Sequence, residues 1–352
     1  MHKSQARVRR ASRLPRTRFT LTALLLLSIF LLLVGCIKLD NTSTTSNSTT
    51  VTTSNGNANS SNTADSGDVK SRANTQGMAS SPDKGNFTVL YQDPQNPQYV
   101  QMNEHYKKEK LLEGVADELN ASVSIPENVS ITFKECGEVN AYWNPRDRQI
   151  VMCFEFIEDT ATKFRQVVTD QKEYEDAVGG AVTFAFIHEV GHCLIDVLNL
   201  AATGREEDSV DQLATYVLID SGDDGEKMAL NGARMWGLWF NEKGGTSQTA
   251  DNINWADEHS LDAQRFFNII CWVFGHNPDK WRNLVNDPLP ENRAVRCPTE
   301  YSKMSKAWTH LLEPYMKNGT KNTAPQGTTA QSETAPTGPT ETGQGHDAPG
   351  GH

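Results

Sequence analysis

Apolar residues are distributed along this chain in three regimes. Residues 19 to 35 are almost wholly apolar, and residues 41 to 84 carry few large apolar side chains. From Phe87 to Lys317 apolar positions recur with helical or strand periods, and from Asn318 onward they thin out again. A stretch dominated by Ser, Thr, Asn, Gly, Pro and Gln cannot bury enough surface to offset the entropy of ordering. Residues 37–86 therefore read as a disordered tether and residues 318–352 as a disordered tail. One folded domain is expected at 87–317, a size that can hold a substantial core.

Within that domain the first helix is expected over about Met102 to Leu119, with Leu111, Leu112, Val115, Ala116 and Leu119 on one face. Three short strands follow: Val129 to Phe133, Ala141 to Trp143 and Gln149 to Phe154. The last two are joined by Asn144-Pro145-Arg146-Asp147. Helical periods then run over about 155–170, 173–199, 206–220, 226–240, 261–274 and 301–315. The expected class is α+β, a small antiparallel sheet followed by a mostly helical region. Trp236, Trp239, Phe240, Trp255, Phe266, Phe267 and Trp272 read as core and are assigned no function.

The chain's start changes the picture of where this domain resides. Lys3, Arg7, Arg9, Arg10, Arg13, Arg16 and Arg18 precede the apolar run without any acid, the pattern of a secretory signal. The run closes on Leu33-Val34-Gly35-Cys36, which resembles the lipobox of bacterial lipoproteins, where the cysteine is acylated. That resemblance makes residues 1–36 a lipoprotein signal peptide, Cys36 the lipid anchor and the bacterial cell envelope the location. The competing reading, an uncleaved signal-anchor helix, also exports the remainder. Beyond the leader, 26 basic residues face 44 acidic ones, a balance of −18, which argues against a nucleic-acid partner. An exported chain can hold disulfides. Cys136 and Cys153 flank the expected hairpin and form one candidate pair. Cys271 and Cys297 form the second, leaving Cys193 as a small buried residue.

The chemistry concentrates in His188-Glu189-Val190-Gly191-His192. Two histidines four apart project from one face of a helix and can bind one zinc ion, with Glu189 beside them. A catalytic zinc has three protein ligands and an open position. Glu207, fifteen residues after His192, is the candidate third ligand. It shares a helical face with Asp211, which is placed to fix the tautomer of a ligating histidine. Glu206 and Asp208 are expected to point elsewhere, and Gly204 to end the preceding turn in a left-handed conformation. The competing account of Glu206, Glu207 and Asp208 is the helix dipole, which favours acids in a first turn without any metal.

These residues resemble gluzincin-type peptidases, where the His-Glu-x-x-His helix is followed by a helix bearing Glu-x-x-x-Asp. More closely, the chain resembles a bacterial family described only as metallopeptidases of unknown function, from about Leu111 to Tyr301. The matching stretches are 136–142, 186–192, 204–214, 257–267 and 293–297. The resemblance implies a zincin-like fold and no particular substrate.

The expected reaction is hydrolysis of a peptide bond by metal-activated water, with Glu189 as general base. His259, beside Asp257 and Glu258, is the candidate donor to the developing oxyanion; a structural histidine at a helix entrance is its alternative. An exposed strand of the sheet is expected to bind an extended peptide. A monomer acting on peptide or protein substrates is expected. The competing class is a non-catalytic, lipid-anchored envelope binding protein of the same fold, and a zinc hydrolase of a non-peptide substrate is a third.

Overall fold

The apolar segment around the two motif histidines becomes the central helix of the domain. A computed structural model describes residues 83–317, apart from Ala250 and Asn252. Cys36, the leader, nearly all of the tether and the tail lie outside the described residues. The sheet strands are β1 (Phe87–Val89), β2 (Val129–Lys134), β3 (Ala141–Asn144) and β4 (Gln149–Cys153). The helices are α1 (Pro97–Glu109), α2 (Leu111–Ser122), α3 (Phe154–Arg165), α4 (Gln171–Val197), α5 (Glu206–Asp220), α6 (Asp223–Glu242), α7 (Asp262–His276) and α8 (Cys297–Leu312), beside shorter turns.

Helix α4 starts on Asp170, whose side chain accepts the Glu173 N–H at 2.8 Å. It carries apolar residues all round, so it must be covered on every side. Its most apolar stretch is long and hydrophobic enough to cross a membrane, yet 94% of it is buried inside the fold. Helices α5, α6 and α3 and the sheet supply that cover. The helix ends at Val197, and Asn199 takes the left-handed conformation (φ 50°). Gly204 was expected in that role; it has no positive φ, because α4 has already ended seven residues earlier. Asparagine tolerates this conformation, so no glycine is required.

Close approach between helices rests on missing side chains. A Cβ on Gly191 would lie 2.8 Å from Cγ1 and 2.9 Å from Cβ of Val210, so α4 and α5 cross where Gly191 leaves room. That crossing brings the first turn of α5 against the histidine face of α4.

The sheet departs from the antiparallel expectation. Its order is β1-β2-β4-β3, with β1 parallel to β2, β2 parallel to β4, and only β3 antiparallel to β4. The β3–β4 hairpin forms as predicted, but β4 inserts between β3 and β2, which makes the sheet mixed and leaves β3 at an edge. Alternation reports which face of a strand is buried and carries no direction, so the parallel pairing had no local signature. The first strand, three residues long, was too short to register as a period.

The Cys136–Cys153 disulfide therefore joins the ends of two parallel strands, not antiparallel neighbours, with Cα atoms 5.5 Å apart. Cys271–Cys297 ties α7 to the start of α8, and Cys193 is buried and free. The single helix expected over 102–119 is two helices, broken at Lys110 (φ 52°), whose N–H turns back to the carbonyls of Tyr106 and Lys107. The apolar face is kept across the break, with Leu111, Leu112, Val115 and Ala116 buried.

Gly191→Ala should force α5 away from α4 and lower unfolding free energy by about 1–3 kcal/mol. Gly204→Ala, where a Cβ meets nothing within 4 Å, should leave stability unchanged to within about 0.5 kcal/mol. Urea denaturation of the two variants checks the difference.

Candidate metal centre

Helical periodicity places His188 and His192 on one face of α4, and the Gly191 crossing sets Glu206, Glu207 and Asp211 of α5 opposite them. Glu207 is the meeting point. Its carboxylate lies 3.1 Å from Nε2 of His188, 3.2 Å from Nε2 of His192 and 3.2 Å from Nε2 of His259. One donor atom from each of His188, His192 and Glu207 falls within 4.8 Å of the others. Two imidazoles and a carboxylate at this spacing are a donor set that fits a divalent cation.

The far nitrogens of these rings are held in turn. Nδ1 of His188 sits 2.9 Å from Asp211 Oδ1, and Asp211 is gripped by Arg265 through Nε–H to Oδ2 and Nη2–H to Oδ1, both at 2.7 Å. Asp211 and Arg265 are each only 2% exposed, and the guanidinium lies 3.5 Å from the ring centroid of Trp236. Nδ1 of His192 is 2.7 Å from Glu206 Oε1. Nδ1 of His259 is 3.0 Å from Asp257 Oδ1, which also accepts the His259 backbone N–H at 2.9 Å. In each case a carboxylate at Nδ1 leaves Nε2 facing Glu207.

Two further bonds tether the His259 segment to α5. Arg205 donates to the His259 carbonyl at 2.9 Å, and the Ser260 hydroxyl donates to Asp208 at 2.7 Å. One turn after His192, Asp196 accepts the Trp143 indole N–H at 3.1 Å and an Arg148 N–H at 2.7 Å, fixing the β3–β4 hairpin.

This packing shifts the charges in opposite directions. Burial alone would push the Glu207 carboxyl up, but hydrogen bonds from His188, His192 and His259 hold it far below the usual carboxylate range. Burial likewise opposes charge on Asp211, and Arg265 with His188 overrides it, bringing Asp211 down to about 2. His192 would be lowered by burial, yet Glu207, Glu189 and Glu206 raise it to about 9. His188 moves up for the same reason, through Asp211 and Glu207, and His259 moves up chiefly through Glu207. Glu189 moves the other way from its fellow acids: burial raises it, against the pull of His188, His192 and the Trp143 backbone amide.

Glu189 and His188 face a cleft of about 490 Å³, whose walls include Trp236, Trp239 and Phe240 of α6 together with His259. These aromatic residues were read as core; they line the cleft, with Trp236 and Trp239 packed against the core behind it, and Trp272 is buried as read. Trp255, from the same group, is 65% exposed.

The structure thus brings together His188, Glu189, His192, Glu207, Asp211 and His259, while the four disulfide cysteines lie in other parts of the fold. Asp208 points elsewhere as expected, accepting from Ser260, but Glu206 does not: the close helix crossing lets it reach His192. Arg265 was missed. Its signal was a lone cation directly before the largely apolar run Phe266 to Phe274, which must find a buried partner if it faces inward.

A family model with the description "Putative metallopeptidase" matches residues 91–312. No curated protein and no solved structure matches the chain.

A cation at these donors must displace the protons that the carboxylates hold on the imidazoles. Because His192 is raised to about 9, its proton is present throughout the neutral range and is released on metal binding. Affinity for zinc should therefore rise from about pH 6 to about pH 8, by about tenfold per unit for each proton displaced. Chelator-competition titrations across that range check the slope; a flat profile would mean that the imidazoles are not the ligands.

Proposed function

The chain belongs to that metallopeptidase family, and on this premise we propose that it is a zinc-dependent peptidase with a zincin-like fold, acting at the bacterial cell envelope. The observation that carries the reading is the convergence of His188, His192 and Glu207 beside a buried Glu189 that opens on a cleft. His188, His192 and Glu207 would hold one zinc ion, with Asp211 orienting His188. Zinc supplies Lewis acidity there, activating water and polarising the scissile carbonyl.

The chain's own groups then divide the proton work. Glu189 takes the proton of the attacking water and passes it to the leaving amine. Burial raises its pKa, which brings its basicity closer to that task. His259 offers an N–H to the oxyanion, since Glu207 favours its protonated form and Asp257 fixes the ring. Strand β3, at the sheet edge and packed against α4, is the surface on which an extended peptide backbone would add.

Envelope location is supported by the basic-then-apolar leader closing on Cys36 and by two disulfides, which persist in oxidising compartments. One observation favours a non-catalytic, lipid-anchored binding protein instead. Glu207 and its three histidines also satisfy one another as an ion-pair network, which needs no metal. Zinc content separates the two: the peptidase should hold close to one zinc per chain, lost in His188→Ala or His192→Ala.

Glu189→Gln should retain zinc and fold yet reduce cleavage of an unstructured protein by at least about 100-fold, the scale of one positioned general base. Gel-based cleavage with metal analysis on the same sample checks it, and surviving cleavage would remove Glu189 from the mechanism.

A further inference from the structure

We propose that the cleft beside Glu189 is a specificity pocket for one large apolar or aromatic side chain of the substrate. This rests on the peptidase reading above and adds a substrate class to it. At about 490 Å³ the cleft lies within the range of small-molecule binding sites, roughly 300–1,000 Å³. Its apolar walls include Ala141 at the start of β3, Phe156 of α3, Ala185 one turn before Glu189 on α4, and Met235, Trp236, Trp239 and Phe240 of α6, while α7 and the segment before it close the polar side.

The aromatic wall is preformed. Trp236 and Trp239 meet edge to face with centroids 4.8 Å apart, and Phe156 abuts Trp239 in the same manner at 5.8 Å. The Trp239 indole N–H is taken by Asp159 at 3.0 Å, and the Arg265 guanidinium lies over Trp236. Ring faces and edges of this kind select bulky apolar groups by area and shape.

Charged side chains find no counterpart in it. The ionic groups lining the cleft are already paired: Lys243 with Asp262 at 2.7 Å, Arg265 with Asp211 at 2.7 Å, and Asp257 with His259 at 3.0 Å. The remaining acid, Glu189, belongs to the reaction. Asn140, Gln248, Asn254 and Ser260 on the polar side can offer hydrogen bonds but no counter-charge, so a substrate lysine or glutamate would gain less than a phenylalanine, leucine or tryptophan that buries its surface against the aromatic wall. Small side chains would leave the cleft unfilled. Ala185 decides the depth, because on α4 it shares the face of Glu189 and carries only a methyl group.

Cleavage-site mapping tests this with the zinc-loaded full chain acting on denatured protein. Bonds with a large apolar residue on one fixed side should be cut about 10–100-fold faster than those with alanine there. Ala185→Leu, which shallows the pocket, should lower the phenylalanine-to-alanine ratio of kcat/KM at least about tenfold. Should that variant not fold, as judged by circular dichroism, Phe240→Ala should lower the same ratio by removing one wall. Cutting without preference, or a ratio unmoved by a folded variant, overturns the pocket while leaving the peptidase reading intact. If the wild-type chain cuts nothing, the peptidase reading fails, and binding of N-acetyl-phenylalaninamide against N-acetyl-alaninamide, read by tryptophan fluorescence, decides the pocket. Preference for the phenylalanine compound, lost in the folded variant, sustains it; equal binding or none overturns it.

Discussion

A charge pair sealed inside the domain sets the geometry of everything around it. Arg265 and Asp211 are almost fully buried, and their double hydrogen bond joins α7 to α5. Desolvating two charges is costly, and such a pair is sustained by good geometry and by further partners for its remaining lone pairs and protons. Asp211 has that partner in His188, and Arg265 has the face of Trp236. The pair therefore orients an imidazole on α4 while holding an indole at the wall of the cleft. Removing one member would leave the other buried without its counter-charge, a loss of about 3–5 kcal/mol in comparable cases. The position of His188 and the shape of the cleft are thus one property of the fold.

Glu207 plays the complementary part at the surface of this arrangement. Three imidazoles face one carboxylate, and each imidazole has a second acid at its other nitrogen, from Asp211, Glu206 and Asp257. Four acids around three histidines make a strongly negative locality that favours cations, whether protons or a metal. Burial raises Glu189, whereas Glu207, Asp211 and Asp257 are held low by their partners. Environment has pushed neighbouring carboxyls of one helix pair in opposite directions.

Much of this was legible in the residue order, and the limits are physical. The His188–His192 spacing, the Glu207–Asp211 pair and the flanking apolar run are local periodicities, and α4 and α5 form where those periods place them. Both disulfides join the cysteines that spacing paired. Strand direction was not legible, because β2 and β4 are separated by β3 and nothing in either strand records which neighbour it will choose. Nor was the break at Lys110, since lysine is an ordinary helix residue and only its packed neighbours impose a left-handed turn. Glu206 was assigned away from the site because helical angle alone ignores how closely two helices cross. Arg265 and the aromatic cleft escaped for a related reason: an apolar helix face looks the same whether it meets a core or borders an opening.

The anchoring of Asp196 to Trp143 and Arg148 has a mechanical meaning. It fastens the β3–β4 hairpin to the last turns of α4, while Glu189 and Ala185 sit farther back on the same helix. The β3 edge, Glu189 and Ala185 are then carried by one tied unit. Across the cleft lies the segment between α6 and α7, which carries His259 and is joined to the start of α5 by two polar bonds. On the peptidase reading proposed above, a substrate in the cleft would lie between that tied unit and His259, so the polar bonds of the His259 segment would set how closely the ring approaches it.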